Sequence, residues 1–250
     1  MIYNIIASGS KGNATLIKGK KTVILIDMGI SFSRLEEGCK EIGITPEMID
    51  AALFTHEHTD HISGLRFIPT KKQYALEGTL PSQGHHAVYL YDPFIVGEFV
   101  ITPIETSHDA KNPCGYIVEQ KEEKLVYFTD TGSFSEMNYP FVKNPDYLII
   151  ESNHDIPMLL KTKRTQELKA RIMSDVGHLN NEDSALICKN IIGPKTKEIT
   201  LAHISEEANT PELALKAYQK IFMHYGIDIS KYNLRVANQW VSLRGGKDEN

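Results

Sequence analysis

Four side chains that commonly bind metal ions fall within six consecutive residues of this chain. His56, His58, Asp60 and His61 follow an apolar run, residues 49–55, that predicts a buried strand. Residues two apart in an extended stretch point the same way, so His56 and His58 are expected to face one metal ion. Asp60 and His61 come where the chain turns, and diverge from the first pair. The segment therefore predicts two adjacent metal sites.

The spacing of this segment excludes one common zinc motif. A helical HExxH motif needs a second histidine at the position that Asp60 occupies. The remaining alternative is a polar, solvated turn. Four residues of ligand type in one short segment argue against that alternative.

Other predicted strands also end at residues that can bind a metal or support a ligand. These residues are Asp27, His108, Asp130 and His203. Taken singly, a histidine after a strand is more often a hydrogen-bonded structural residue than a metal ligand. A strand that ends in Asp followed closely by Gly more often indicates a turn than a metal site. Their order along the chain carries more weight than any one of them.

The pattern H-x-H-x-D-H, preceded by Asp27 and followed in order by His108, Asp130 and His203, resembles the metallo-β-lactamase superfamily over about residues 1 to 240. The resemblance implies an α/β fold, a four-layer αββα sandwich with the active site at the edge of the two sheets. It also implies that Asp27 hydrogen-bonds a ligand imidazole and fixes its tautomer. It implies seven ligands to two divalent ions: His56, His58 and His108 for the first, Asp60, His61 and His203 for the second, and Asp130 bridging both. Zinc and manganese are both compatible with these residues.

Longer strings point to a narrower group within the superfamily. The opening Ser8-Gly9-Ser10-Lys11-Gly12-Asn13, residues 151–155, residues 168–181 and the segment 203–212 resemble the YycJ/WalJ group. Members of that group are described as DNA exonucleases that work from the 5′ end. The resemblance implies a dinuclear metal-dependent phosphodiesterase with DNA as its substrate. The sequence gives no evidence of an obligate protein partner.

His178 favours phosphodiester cleavage most strongly. It resembles the additional histidine that nucleases of the superfamily place before a helix, where it contacts the phosphate or protonates the leaving oxygen. A capping or loop histidine is the alternative. We expect His178 and Asp60 to be the catalytic residues, and Asn13, His154 and Asn180 to contact the substrate.

Other functions remain open at this point. The principal alternative is hydrolysis of a small ester, thioester or lactone on the same metal centre, and a redox or binding protein is a third. A carboxylate at position 130 argues against β-lactams as substrates. The basic stretch 161–171 either follows a nucleic-acid backbone or is a solvated charged face, and the net charge of −5 does not favour nucleic acid.

Composition predicts one globular enzyme domain. With 250 residues and 41% hydrophobic content, the chain can fill one core over residues 1–250, with a frayed tail from about residue 245. The absence of a signal-like start and of a long apolar run predicts a cytoplasmic protein without a membrane span. Cys39, Cys114 and Cys188 are odd in number and widely spaced, which predicts buried or idle thiols.

Hydrophobic periodicity predicts many short strands and two clear helices. One helix is expected from about Asn181 to a stop at Gly193-Pro194, and the other from a Thr210 cap to about Tyr225. The predicted strands cover residues 2–7, 14–18, 22–27, 51–55, 86–91, 94–104, 114–119, 124–129, 146–151, 198–202 and 234–243.

Overall fold

The computed structural model describes residues 1–81 and 84–247. Within these ranges the strands form two mixed sheets, and helices lie between the strands along the chain. The strands are β1 Ile2–Ala7, β2 Ala14–Lys18, β3 Val23–Ile26, β4 Ala51–Leu53, β5 Gln73–Leu76, β6 His86–Val88, β7 Phe94–Val96, β8 Phe99–Glu105, β9 Cys114–Gln120, β10 Glu123–Phe128, β11 Tyr147–Glu151, β12 Glu198–Ala202, β13 Asn233–Val236 and β14 Leu243–Gly246. The α-helices are α1 Phe32–Glu41, α2 Thr59–Ile62, α3 Tyr139–Val142, α4 Ile156–Lys161, α5 Gln166–Ile172, α6 Asn181–Ile191 and α7 Pro211–His224.

The chain divides into two compact units. The first comprises residues 1–104, 110–123 and the C-terminal segment from 237, and the second comprises residues 105–109 and 124–236. The expectation of a single domain over residues 1–250 stays a prediction.

The sheet of the first unit brings the ends of β3 and β4 together. Its strand order is β14-β1-β2-β3-β4-β5-β6, antiparallel from β14 to β3 and parallel from β3 to β6. Ile26 pairs with Leu53, so both of these parallel strands end at the same edge of the sheet. Asp27 and the ligand segment from His56 therefore emerge side by side.

The helix α1 covers part of this sheet. Ser31 caps it by accepting a hydrogen bond from the Arg34 N–H, and Leu35 and Cys39 on its inner face are buried. Gly38 allows a close approach, because a Cβ there would lie 2.5 Å from the Ile6 side chain. Burial of the apolar face of α1 against the sheet stabilises the first unit.

The second unit contains four consecutive parallel strands, β10 to β13. Leu125 pairs with Tyr147, Tyr147 with Glu198, and Glu198 with Asn233. The carboxyl ends of these strands share one edge of the sheet. The chain leaves that edge at Asp130 after β10, at Glu151 at the end of β11, and at His203 after β12.

Most predicted elements are confirmed, with boundaries shifted by a few residues. Both predicted helices are present, α6 with the cap on Asn180 and α7 with Thr210 capping and Pro211 at its first position. The predicted strand 94–104 is wrong as one element, because a turn at Gly97, with φ 56°, makes it the hairpin of β7 and β8. The predicted strand 234–243 is also two elements, β13 and β14, which belong to different units.

The sequence reading missed several elements and misplaced the start of the C-terminal tail. The strand β5 and the helices α1 to α5 were not predicted. Gly245 and Gly246 pair with Tyr3 and Ile2, so β14 extends into the segment expected to be frayed. The last part of that predicted tail, residues 248–250, lies outside the described residues.

The cysteines agree with the prediction made for them. Cys39, Cys114 and Cys188 are all buried free thiols, as predicted. Burial raises the pKa of Cys39 to about 11 and that of Cys114 to about 12, which disfavours their reactive thiolates. In the part of the chain that the structure describes, no helix combines the length and apolar character needed to cross a membrane.

Candidate functional site

The ligand segment of the first unit brings three imidazole rings together. After β4 the chain continues extended to His58, and the short helix α2 then carries Asp60 and His61. The ring centre of His56 lies 4.6 Å from that of His58 and 4.0 Å from that of His61. His56 and His61 are buried, and His58 is partly exposed.

Asp27 supports two of these rings, that of His61 directly and that of His56 through Thr55. The buried Asp27 carboxylate accepts hydrogen bonds from the Thr55 N–H and the His61 Nδ1–H, each at 2.8 Å, and from the Thr55 hydroxyl at 2.9 Å. Because the single hydroxyl proton goes to Asp27, the Thr55 oxygen accepts from the His56 Nδ1–H at 3.0 Å. Burial raises the pKa of Asp27 despite the opposing effect of His61. Both imidazoles therefore have Nδ1 occupied, as metal-binding histidines usually do.

Asn13 joins the N-terminal loop to the same segment. Its backbone N–H donates to the Asp60 carbonyl oxygen at 2.8 Å, and its side-chain amide lies 3.0 Å from the His61 Nε2 and 3.3 Å from the Asp60 Oδ2. The neighbouring Gly29 admits no side chain, because a Cβ there would lie 1.6 Å from the Asp60 carbonyl oxygen. The buried Asn13 thus holds the ligand segment, and its expected contact with substrate stays a prediction.

In the second unit, two histidines face one carboxylate. The Asp130 Oδ1 lies 3.4 Å from the His203 Nε2 and 3.9 Å from the His108 Nε2. The Nδ1–H of His108 donates to the Gly177 carbonyl oxygen at 3.1 Å, and the Nδ1 of His203 lies 3.2 Å from the Glu151 Oε1. Burial lowers the pKa of His108, which favours the neutral imidazole that metal ligation requires.

Glu151 is a site residue that the sequence reading did not identify. Its Oε1 lies 2.8 Å from the His178 Nδ1 and 3.2 Å from the His203 Nδ1, while its Oε2 accepts the N–H groups of Thr131 and Leu179. Burial would raise the pKa of this carboxyl, but His178 and His203 outweigh burial and hold it well below its usual value. Its position in the sequence could have identified it. Glu151 is an acidic residue at the end of a strand, β11, as Asp27 and Asp130 are acidic residues directly after theirs.

His178 lies beside the two histidines of this cluster. Its ring centre is 5.3 Å from that of His203, with the rings stacked, and 5.1 Å from that of His108. The side chain is 18% exposed, in contrast to the fully buried Glu151. Gly177 before it must be glycine, because a Cβ would lie 2.2 Å from the Arg171 carbonyl oxygen. A tightly packed loop therefore holds His178 with one edge accessible.

Three candidate site residues have a left-handed backbone. The φ angles of Asp27, Asp130 and His203 are 58°, 55° and 53°. This region is rarely occupied by residues other than glycine, and unusual backbone conformations concentrate at functional sites. Each of these residues stands just after a strand, where the bend turns its side chain out of the sheet register.

His154 and Asn180 lie together at a separate cavity. They form a parallel β-bridge and line a cavity of about 380 Å³ with Lys216 and Lys220. The Asn180 side chain caps α6 by accepting the N–H groups of Glu182 and Asp183. His154 is 1% exposed, and burial lowers its pKa to about 4. Substrate contact by this pair stays a prediction.

The basic stretch 161–171 is largely engaged within its own unit. Arg164 pairs with Glu207 at 3.0 Å, and Arg171 pairs with Asp109. The Lys169 ammonium donates to the Leu160 carbonyl oxygen at 2.8 Å. These contacts favour a solvated, internally paired face over a track for a nucleic-acid backbone.

The His and Asp side chains at these strand ends offer donor atoms of the kind that metal ions bind. Asp130, Glu151, His178 and His203 offer possible ligand atoms within 4.8 Å of one another. Since both Glu151 oxygens are taken up by N–H donors, Glu151 is better suited to orienting the rings than to ligation. His56, His61, His108 and His203 all have Nδ1 supported by a neighbour, so a metal ion would bind each ring through Nε2, which in His61 would replace the contact with the Asn13 amide. The His and Asp side chains can therefore bind metal ions.

Comparison with known proteins identifies the family. The profile of the family described as "Beta-lactamase superfamily domain" matches residues 22–204. Exodeoxyribonuclease WalJ of Streptococcus pneumoniae is 37% identical over 85% of this chain and 84% of its own, and exodeoxyribonuclease YycJ of Bacillus anthracis is 32% identical over 92% of both.

A solved structure gives the same fold. The crystal structure of the metallo-β-lactamase fold protein YhfI from Bacillus subtilis matches 98% of this chain and 99% of its own with a TM-score of 0.72, at 20% identity. The chain thus belongs to the metallo-β-lactamase superfamily, within the group that contains WalJ and YycJ.

Proposed function

We propose that this protein is a metal-dependent phosphodiesterase that degrades DNA as a 5′ exonuclease. The identity to two exodeoxyribonucleases over most of their length supports the reaction class. The observation that carries the proposal within this chain is the pairing of His178 with the buried Glu151, because it supplies an oriented imidazole in addition to the metal-binding side chains.

The proposal includes two divalent metal ions, zinc or manganese. Such ions lower the pKa of a shared water and neutralise charge on phosphate oxygens. We assign seven ligands on their chemistry and on the family: His56, His58 and His108 for one ion, Asp60, His61 and His203 for the other, and Asp130 for both.

The remaining residues of the site orient the ligand side chains or contact the substrate phosphate. Asp27 and Thr55 hold the rings of His61 and His56 by their Nδ1 atoms, and Glu151 does the same for His203 and His178. For His178 this leaves Nε2 to contact a phosphate oxygen or to protonate the leaving oxygen. Asn13, His154 and Asn180 remain proposed substrate contacts.

The setting of this activity is part of the proposal. DNA is the substrate partner, and no obligate protein partner is included. A DNA substrate and three buried thiols are consistent with a cytoplasmic location, which stays a prediction.

Direct comparison of substrates tests the proposal. Protein loaded with manganese or zinc is incubated with DNA labelled at the 5′ or 3′ end, with RNA of the same sequence, and with a thioester and a lactone. We expect mononucleotides or short products released from the 5′ end of DNA. Efficient turnover of the thioester or lactone without DNA cleavage would instead assign a small-ester hydrolase, and release from the 3′ end would overturn the polarity.

A further inference from the structure

The loop 8–13 is tied to a C-terminal turn of the same unit. The Lys11 N–H donates to the Gln239 Oε1, and the Gln239 Nε2 donates to the Gly12 carbonyl oxygen, both at 2.9 Å. Gln239 is only 5% exposed, so this pair of hydrogen bonds is shielded from water. The turn that follows Gln239 is therefore held in a fixed position against the loop.

This turn presents the chain's single tryptophan to solvent. Trp240 is 57% exposed, although tryptophan is highly buried on average. The Asn238 side chain fixes the turn by accepting the N–H groups of Trp240 at 2.7 Å and Val241 at 3.2 Å. The indole therefore lies on a turn with a fixed backbone and is more than half exposed to solvent.

Two cations flank the indole. The Lys11 ammonium lies 5.4 Å from the Trp240 ring centre, and the Arg34 guanidinium carbon lies 5.5 Å from it. Arg34 is itself fixed, because its guanidinium donates to the carbonyl oxygens of Ile6 and Gln239. The surface therefore combines an exposed indole with two positive charges that lie over its ring.

The same loop reaches the candidate metal ligands within the first unit. Two residues beyond Lys11, Asn13 hydrogen-bonds the Asp60 backbone and lies 3.0 Å from the His61 Nε2. The Lys11–Trp240 pair is thus connected through one short loop to the segment that carries Asp60 and His61.

We propose that Trp240, with Lys11 and Arg34, is a stacking platform for one nucleobase of a single-stranded stretch of the DNA substrate. Exposed aromatic side chains with cations close to them are the features that bind single strands without sequence preference, since every base has a π face and every linkage a negative charge. The proposal rests on the proposed function for its substrate class. It adds a base-binding subsite that none of the metal-binding residues supplies.

Because Trp240 is the only tryptophan, its fluorescence reports on the platform directly. Metal-loaded protein is titrated with a cleavage-resistant, phosphorothioate-linked single-stranded oligonucleotide and with an abasic oligonucleotide of the same length and charge. We expect the oligonucleotide with bases to quench the emission and bind more tightly. Equal quenching and equal affinity with both would overturn the platform, since backbone charge alone would then account for binding.

Substitution supplies the second measurement. Trp240→Ala should raise the KM for DNA by about 5- to 100-fold, the range of one lost base stack, and leave kcat and bis(p-nitrophenyl) phosphate hydrolysis unchanged. Trp240→Phe should recover part of the loss. The matched control is Tyr225→Ala, which removes another exposed aromatic ring with a lysine, Lys189, 4.3 Å from its centre, in the second unit.

The outcomes separate the platform from the proposed function. Normal DNA cleavage with an unchanged KM in Trp240→Ala would overturn the platform and leave the nuclease proposal standing. Base-dependent quenching by a protein that cleaves no DNA would support the platform and overturn the nuclease proposal. A Trp240→Ala variant that dissociates from an oligomer, with an unchanged KM for DNA, would assign this surface to a protein interface and overturn the platform.

Discussion

The buried carboxylate of Glu151 lies 2.8 Å from the Nδ1 of His178, and its other oxygen accepts the N–H of Leu179, the next residue along the chain. One carboxylate therefore fixes both the ring and the backbone of the loop that carries His178. Because the same carboxylate also lies 3.2 Å from the Nδ1 of His203, it couples the proposed phosphate-binding histidine to a proposed metal ligand.

Replacing Glu151 tests this coupling. In Glu151→Gln one carboxylate oxygen becomes an NH2 group, which cannot accept a hydrogen bond. It would face either the two histidine rings or the two backbone N–H groups, so His178 and His203 lose their common orientation. We expect DNA cleavage to fall roughly 10- to 100-fold, mainly in kcat, with the fold retained. Asp146→Asn at the other end of β11 is the control, since it also alters a buried carboxylate that accepts a backbone N–H. Wild-type kcat in Glu151→Gln would remove Glu151 from the site.

His178 should be needed for DNA cleavage but not for metal binding. His178→Ala is expected to keep its metal content and circular dichroism spectrum while DNA cleavage falls by roughly 10²–10⁴-fold. An acid role predicts a much smaller loss on bis(p-nitrophenyl) phosphate, whose leaving group scarcely needs a proton. Equal losses on both substrates would indicate phosphate binding, and an unchanged rate on DNA would exclude His178 from the reaction.

Asp27 should control metal affinity through His61. Removing the carboxylate in Asp27→Ala leaves the His61 Nδ1–H and the Thr55 hydroxyl without their acceptor. We expect metal affinity, measured by competition with a chromophoric chelator, to fall roughly 10- to 100-fold. Asp50→Ala is the matched control, because Asp50 accepts the Val23 N–H at the opposite end of β3. If both variants bound metal as the wild type does, the support role of Asp27 would be refuted.

The low pKa of His154 should make the free energy of unfolding fall in acid. Its folded pKa of about 4 lies below the ordinary value of 6.5 because burial disfavours the charged ring. Between these pH values the unfolded chain binds a proton that the folded chain does not. The contribution of His154 to the free energy of unfolding is therefore complete above about pH 6.5 and is lost as the pH falls towards 4.

The variant His154→Asn isolates this contribution. Between pH 7 and pH 4 its unfolding free energy should fall by about 2–3 kcal/mol less than that of the wild type. Urea titrations at a series of pH values measure the difference, and His224→Asn, at an exposed position, is the control. Parallel stability curves for the wild type and His154→Asn would contradict the low pKa of His154.

The sequence was sufficient to predict the elements that carry strong local patterns. The cluster from His56 to His61 and the approach of Asp27 to an imidazole could be anticipated because they depend on strand ends and on a known order of motifs. The cap on α7 was also readable, since Thr210 accepts the N–H of Leu213, three residues away.

Features that depend on distant contacts could not be read in the same way. The partners of Glu151 come from residues 131, 178, 179 and 203, so its role emerges only when three strand ends meet. The left-handed backbone of Asp27, Asp130 and His203 carries only a weak residue-type signal, because glycine is the usual marker of that conformation and Asp and His adopt it much less often. Likewise, the internal pairing of Arg164 and Arg171 is invisible in a run of positive charges.

The central claim is that cleavage of DNA depends on two metal ions held by these residues. Protein stripped with a chelator is titrated with manganese or zinc, and bound metal and cleavage of end-labelled DNA are measured on the same samples. We expect no cleavage without metal, a rate that rises until about two ions are bound per chain, and selective loss of one ion in His58→Ala and of the other in Asp60→Ala. Full cleavage by metal-free protein, or by well-folded protein that never binds more than one ion, would contradict it.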